Sequence, residues 1–145
     1  NAWLIMRGVV TLPLRMEQHS HTALKVAQYL ESNSSVKFVA YPGLESHPQH
    51  EIAKKQMKLY SGIIAFALKA DAETHNKFIN SLELIVPAVS LGHDESLIVY
   101  TGASDERINF YPENFRDGYI RFSVGLESAE DIIEDLKQAL QKCGL

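Results

Sequence analysis

The chain has 145 residues, with 14 basic against 18 acidic side chains, a formal charge of -4 and 46% hydrophobic residues. That length allows one domain with a real apolar core, and the balance excludes a disordered or fibrous chain. It also excludes a nucleic-acid footprint, which needs clustered positive charge, and no apolar run is long enough to span a bilayer.

The first residues, Asn1-Ala2-Trp3-Leu4-Ile5-Met6, run straight into apolar side chains without an initiator Met. They read as a chain cut within a structural element and not as a signal peptide. Residues 3–32 are predicted helical, with Met16, Ala23, Leu24, Ala27 and Leu30 on one face. Pro13 lacks an N–H and clashes with the preceding turn, which predicts a kink or break near Thr11-Leu12. Ser32-Asn33-Ser34-Ser35 ends the helix. Val36 to Tyr41 reads as a short strand, and Pro42-Gly43 as a turn. A loop to Pro48 and a short helix to about Met57 follow.

Gly62 to Leu68 is apolar on both faces, as in a strand covered by helices. Asp71 caps a helix that runs to about Ser81. Residues 85–90 fit a strand, which Pro87 confines to an edge or bulge. Leu97 to Tyr100 is another strand, and 101–117 a polar, aromatic loop with one turn of helix. Gly118 to Gly125 alternates cleanly: Ile120, Phe122 and Val124 point one way, and Tyr119, Arg121 and Ser123 the other. Ser128 and Asp131 open the last helix, whose stripe is Ile132, Ile133, Leu136, Ala139 and Leu140. Near its end stands the single cysteine, Cys143, which can form no internal disulfide. It reads as a bystander in a fraying tail, and the compartment as a reducing one, the cytoplasm. The fold class is α/β in two layers (α+β): a small, mostly antiparallel sheet covered by helices on at least one face.

Two features could carry chemistry. Arg121 sits mid-strand between bulky apolar neighbours, and its planar fork matches a carboxylate bidentately. The same pattern fits an edge-strand arginine in water. Val89-Ser90-Leu91-Gly92 ends a strand in a corner whose N–H groups and hydroxyl suit an anion, although it also fits an ordinary turn. The histidines give no ligand spacing: His19 and His21 cannot share a helix face, and His47 and His50 lack a clear cysteine or acidic partner. His93-Asp94-Glu95 reads as a polar turn. No metal site, Walker or dinucleotide loop, or Gly-x-Ser-x-Gly elbow is present in the sequence.

Five segments in order carry a resemblance. They are Ala2-Trp3-Leu4 with Arg7-Gly8; Thr11-Leu12-Pro13-Leu14-Arg15-Met16; Tyr41-Pro42-Gly43-Leu44 with Ser46-His47-Pro48-Gln49-His50; Ala88-Val89-Ser90-Leu91-Gly92 with Glu95-Ser96-Leu97; and Arg121-Phe122-Ser123-Val124-Gly125-Leu126-Glu127. Together they resemble the C-terminal part of the Cys/Met-metabolism (trans-sulfuration) family of pyridoxal-phosphate enzymes. Its members include methionine γ-lyase, cystathionine γ-lyase, cystathionine β-lyase and cystathionine γ-synthase.

The resemblance implies the C-terminal domain of a fold-type-I, aspartate-aminotransferase-like enzyme. Residues 1–32 would be an interdomain helical segment and 33–145 the substrate-binding domain, with the cofactor-binding domain upstream of residue 1. Arg121 would bind the substrate α-carboxylate, Ser90 would help position it, and Val89 would stand where family reactions are chosen, its apolar side chain resembling methionine γ-lyase. No lysine here follows the family's Ser-x-Thr pattern, so the resemblance places pyridoxal 5'-phosphate and the catalytic lysine outside this chain. The isolated chain is then expected to be inactive. It further implies a sulfur-containing amino-acid substrate and a homotetramer in the complete enzyme. Two departures stand out: Ser-Leu-Gly is followed by His93, and Thr101-Gly102-Ala103-Ser104-Asp105 replaces the family's Pro-Ala-Ser-Met-Thr-His. A non-enzymatic α/β module that docks an acidic partner through Arg121 is the alternative.

Overall fold

Pro13 splits the first helical segment where its missing N–H predicts. In the computed structural model, which describes residues 1–104 and 106–145 (Ile108 by its backbone alone), α1 spans Ala2–Val10 and α2 spans Leu12–Ser32. Arg15 braces the break: its Nη2 donates to the Gly8 carbonyl at 2.9 Å and its Nε to Thr11 Oγ1 at 3.3 Å. Then come β1 (Val36–Ala40), α3 (His50–Gln56), β2 (Ile63–Leu68), α4 (Ala72–Asn80), β3 (Val86–Pro87) and β4 (Leu97–Thr101). Two short 3-10 turns, Ile108–Phe110 and Glu113–Phe115, lead into β5 (Tyr119–Ser123) and α5 (Ala129–Cys143).

Among the described residues the strands form one five-stranded sheet in the order β1-β2-β5-β4-β3, antiparallel except for the β3–β4 pair. The α/β two-layer reading therefore holds. Pro87 lies on the edge strand, as a residue without an N–H must. Its neighbours Val86 and Ala88 supply the donors, to the carbonyls of Ser96 at 2.9 Å and Ile98 at 3.0 Å.

The alternation of the strands decides which face is dry. Ile64, Phe66, Ile98, Ile120 and Phe122 are essentially inaccessible and meet Ala23, Val26, Ala27 and Leu30 of α2 and Ile132 and Leu136 of α5. On the other face the register sets Ala40, Ala65, Arg121 and Val99 side by side across four strands, all half-exposed. The capping signals are real. Asp71 accepts from the Thr74 amide, and Ser128 from the Asp131 amide.

Four readings need correction. The α2 face is buried only from His19 onward; Met16 is exposed, because periodicity marks a face but only a neighbour buries it. The strand expected over 85–90 shrinks to Val86–Pro87, since Leu97 and Ile98 are its only register partners. The stretch 101–117 holds two helical turns, not one, and Asp105 lies outside the described residues. Cys143 does not sit in a fraying tail. It closes α5, packs against the core, and is followed by Gly144 at φ 76° as the helix cap.

Candidate functional site

Arg121 occupies the centre of β5, between Ala65 and Val99, so its side chain rises from the half-exposed face. There it meets the segment that links β3 to β4. Its Nη2 donates to the carbonyls of Val89 and Ser90, the latter at 3.0 Å. The structure thus brings together the three residues that the sequence singled out. Ser90 gives its carbonyl to this contact while its side chain is exposed, and Val89 is 76% exposed. Among the described residues no carboxylate pairs with Arg121, and its Nε is buried with no acceptor. The guanidinium as a whole is half-buried and has five N–H donors, more than the two carbonyl contacts use, so it can still receive an anionic oxygen.

The alternation that aims Arg121 continues beyond the strand. Ser123 Oγ accepts from the Gly92 amide at 2.9 Å. Gly125 donates its N–H to Ser96 Oγ at 2.9 Å, and Leu126 to the Asp94 carbonyl at 2.7 Å. Both oxygens of Glu127 then take Ser96, one its N–H at 2.7 Å and the other its hydroxyl at 2.9 Å. Gly125 has to be glycine: a Cβ there would stand 2.4 Å from the Asp94 carbonyl and 2.5 Å from the Ser96 nitrogen. Sequence reasoning gave Ser96, Ser123 and Glu127 no role. The signal was the period-two spacing of Arg121, Ser123, Gly125 and Glu127, which extends past the last strand residue.

Two surfaces flank Arg121. An open cavity of about 250 Å³ between α4 and the β3–β4 edge is lined by Pro87, Val89, Ile98, Val99 and Tyr100. On the other side the loop after β4 folds back over the sheet. Phe115 packs on Phe38 and Tyr119, with ring centroids 4.8 and 5.0 Å apart, and Asp117 pairs with Lys37 at 2.8 Å. That ion pair holds the Asp117 carboxyl below its ordinary value, while burial raises the Tyr100 phenol.

Two of the histidines, His19 and His50, tie the chain together through carbonyl contacts. His19 Nδ1 donates to the carbonyls of Val124 at 2.8 Å and Gly125 at 3.0 Å, tying α2 to the end of β5. His50 Nδ1 lies 2.9 Å from the Pro42 carbonyl. Burial and the neighbouring His50 lower the pKa of His47. His93 faces Asp94 at 2.8 Å. Among the described residues no three His, Cys, Asp or Glu side chains gather as metal ligands, and no helix is long and apolar enough to cross a membrane.

Every lysine of the chain is exposed. A lysine that anchors a carbonyl cofactor needs an enclosed, desolvated setting to lower its pKa. The residues present therefore do not fit a complete pyridoxal-phosphate site, although Arg121 fits a carboxylate.

Residues 1–141 match the family described as Cys/Met metabolism PLP-dependent enzyme. The chain is 53% identical to a canavanine gamma-lyase of Pseudomonas canavaninivorans, over 98% of its own length and 36% of the relative's. It is 49% identical to an L-methionine gamma-lyase of Treponema denticola, over 97% of this chain and 36% of that one. It is 47% identical to a cystathionine beta-lyase of Lactococcus lactis subsp. cremoris, over 98% and 38%. The chain thus spans little more than a third of the curated relatives it matches. On a match that covers nearly all of its residues, the chain belongs to the Cys/Met metabolism PLP-dependent enzyme family.

Proposed function

We propose that the chain is the substrate-binding C-terminal portion of a PLP-dependent lyase acting on sulfur-containing amino acids, in which Arg121 grips the substrate α-carboxylate. The single observation that carries this is the half-buried Arg121 guanidinium, set against Val89 and Ser90 with no carboxylate among the described residues as its partner. Residues 33–145 would form the C-terminal domain of a fold-type-I enzyme. Residues 1–32 would run between the domains, with the second half of α2 fastened to the core and α1 exposed. The cofactor and its lysine would come from outside this chain, which predicts that the chain alone is inactive. When bound, pyridoxal phosphate supplies an electron sink for bond cleavage next to the amino-acid carbon.

This chain's own residues orient. Arg121 would fix the carboxylate, Ser90 would help position it, and Val89 would border the side chain of the substrate, together setting the angle at which bonds break. A C–S lyase or γ-replacement activity is the reading, leaning to methionine γ-lyase because Val89 is apolar. A γ-elimination from canavanine is the second reading, favoured by the 53% and 52% identity to two canavanine gamma-lyases. Membership of an enzyme family leaves the non-enzymatic docking module without a supporting observation. The complete protein is proposed to be a cytoplasmic homotetramer, which light scattering on the full-length protein tests.

The deciding experiment is Arg121→Ala in the full-length enzyme, assayed with methionine, cystathionine, homocysteine, cysteine and canavanine. The expected outcome is a KM raised at least about tenfold and a lower turnover, the loss of one well-made charged contact. An unchanged KM for every amino acid overturns the assignment.

A further inference from the structure

We propose that Glu127, acting through Ser96, and Ser123, acting through Gly92, are positioning residues that hold the 89–96 segment against Arg121 and thereby set the affinity for the substrate carboxylate. The proposal rests on the reading of Arg121 as the carboxylate clamp.

Little else holds the segment. Residues 89–95 are all exposed, so burial does not fix their position. Bonds from the β5 extension do. The Gly92 amide is fixed on Ser123 at 2.9 Å, the Asp94 carbonyl on the Leu126 amide at 2.7 Å, and Ser96 on both oxygens of Glu127. Ser96 is fully buried, and its hydroxyl also receives the Gly125 amide. Glu127 is thus the outer anchor of a chain of bonds that ends on the backbone of the segment.

At the near end the same segment supplies the two carbonyls that orient Arg121. These are the contacts the structure gives the guanidinium, since Nε has no acceptor and no carboxylate among the described residues pairs with it. A charged fork binds a carboxylate bidentately only if its plane is fixed beforehand. Release of Ser96 or Gly92 lets the segment move, and the plane of Arg121 goes with it. The period-two ladder of Arg121, Ser123, Gly125 and Glu127 is one device: its first member grips the ligand and the others hold what orients the first.

The test uses the full-length holoenzyme and compares an amino-acid substrate with its α-amide, which lacks the carboxylate charge. The quantity read is the ratio of kcat/KM for the two, alongside cofactor absorbance and thermal midpoint. In Glu127→Ala the amino acid is expected to lose at least tenfold in kcat/KM, chiefly through KM, while the amide changes little, so the ratio falls. Ser123→Ala shifts the ratio in the same direction by a smaller amount. Glu127→Gln, which keeps one acceptor for the Ser96 amide, restores part of it. A purely structural role would depress both substrates equally and leave the ratio at its wild-type value, and that result overturns the proposal. If Glu127→Ala does not fold, Ser123→Ala and Glu127→Gln decide it by the same ratio. Arg121→Ala separates the two readings. A ratio unmoved by Arg121→Ala sinks the clamp itself. A ratio collapsed by Arg121→Ala but unmoved by the Glu127 and Ser123 variants sinks only the positioning role.

Discussion

At the scale of single residues, two side chains show how charge is handled here. Among the described residues Arg121 is held by carbonyl oxygens and by no carboxylate, so no counter-charge offsets its own while its direction is fixed. Asp71 is the opposite case, a carboxylate whose worth lies in its bonds to one neighbour. The Thr74 side chain, and then the Thr74 amide that Oδ1 accepts at 2.8 Å, lower its pKa from the ordinary 3.8. A folded pKa below the unfolded one means that the unfolded chain binds more protons in acid. The stability this group contributes is therefore present above 3.8 and is lost as pH falls through the folded value. Asp71→Asn keeps a capping oxygen but cannot titrate. In the full-length protein its melting temperature near neutral pH should match wild type, and it should fall less steeply than wild type below that point, as a series of melts across acid pH would show. Arg121 was legible in the sequence because a charge flanked by apolar residues in period two marks a strand face. Val89 and Ser90 stood out as a strand-end corner, but only the family resemblance set them beside Arg121, because they lie 32 and 31 positions away and no local pattern encodes which loop crosses above.

At the scale of elements, the packing of α5 against the connection before β3 rests on one buried acid. Asp135 is 6% exposed and accepts from the amides of Glu83 at 2.8 Å, Leu84 at 3.0 Å and Ile85 at 2.9 Å, and from Gln138 Nε2 at 2.9 Å. An irregular segment has no ladder to satisfy its backbone, and this carboxylate replaces the ladder. Asp135→Ala leaves those donors without their acceptor. It should cost on the order of 3 kcal/mol, read as a lower urea midpoint of the full-length protein at unchanged slope. The elements themselves were readable. Pro13 announced its break, Asp71 and Ser128 their caps, and the alternation of residues 119–124 its two faces. What local reasoning could not supply was extent. Whether residues 88–90 extend β3 depends on β4, and β4 offers partners for only two residues. Burial of α2 likewise depends on what lies over it, and Met16 stays 38% exposed where Ala23, Val26 and Ala27 are sealed.

At the scale of the molecule, the half-exposed sheet face and α1 share one property: apolar surface that this chain leaves open. Ala65 and Val99 flank Arg121 on the sheet, with Ala40 one strand beyond Ala65, while Trp3, Leu4, Ile5, Met6, Val9 and Val10 are all more than half exposed on α1. The fold class was legible because helical and strand periods are local. The sheet order β1-β2-β5-β4-β3 was not, since it places the last strand in the middle and only the completed core selects that arrangement. Trp3 is the only tryptophan in the sequence, it is 65% exposed, and the Arg7 guanidinium lies 5.3 Å from its ring centroid. The core therefore holds tyrosine and phenylalanine but no indole, which makes the protein spectroscopically two-coloured. Indole emission from this chain should already sit at a water-like wavelength and stay there through urea titration, while the far-ultraviolet signal reports melting. A blue shift of that emission on mixing with another polypeptide would then report, without any label, that α1 had been covered.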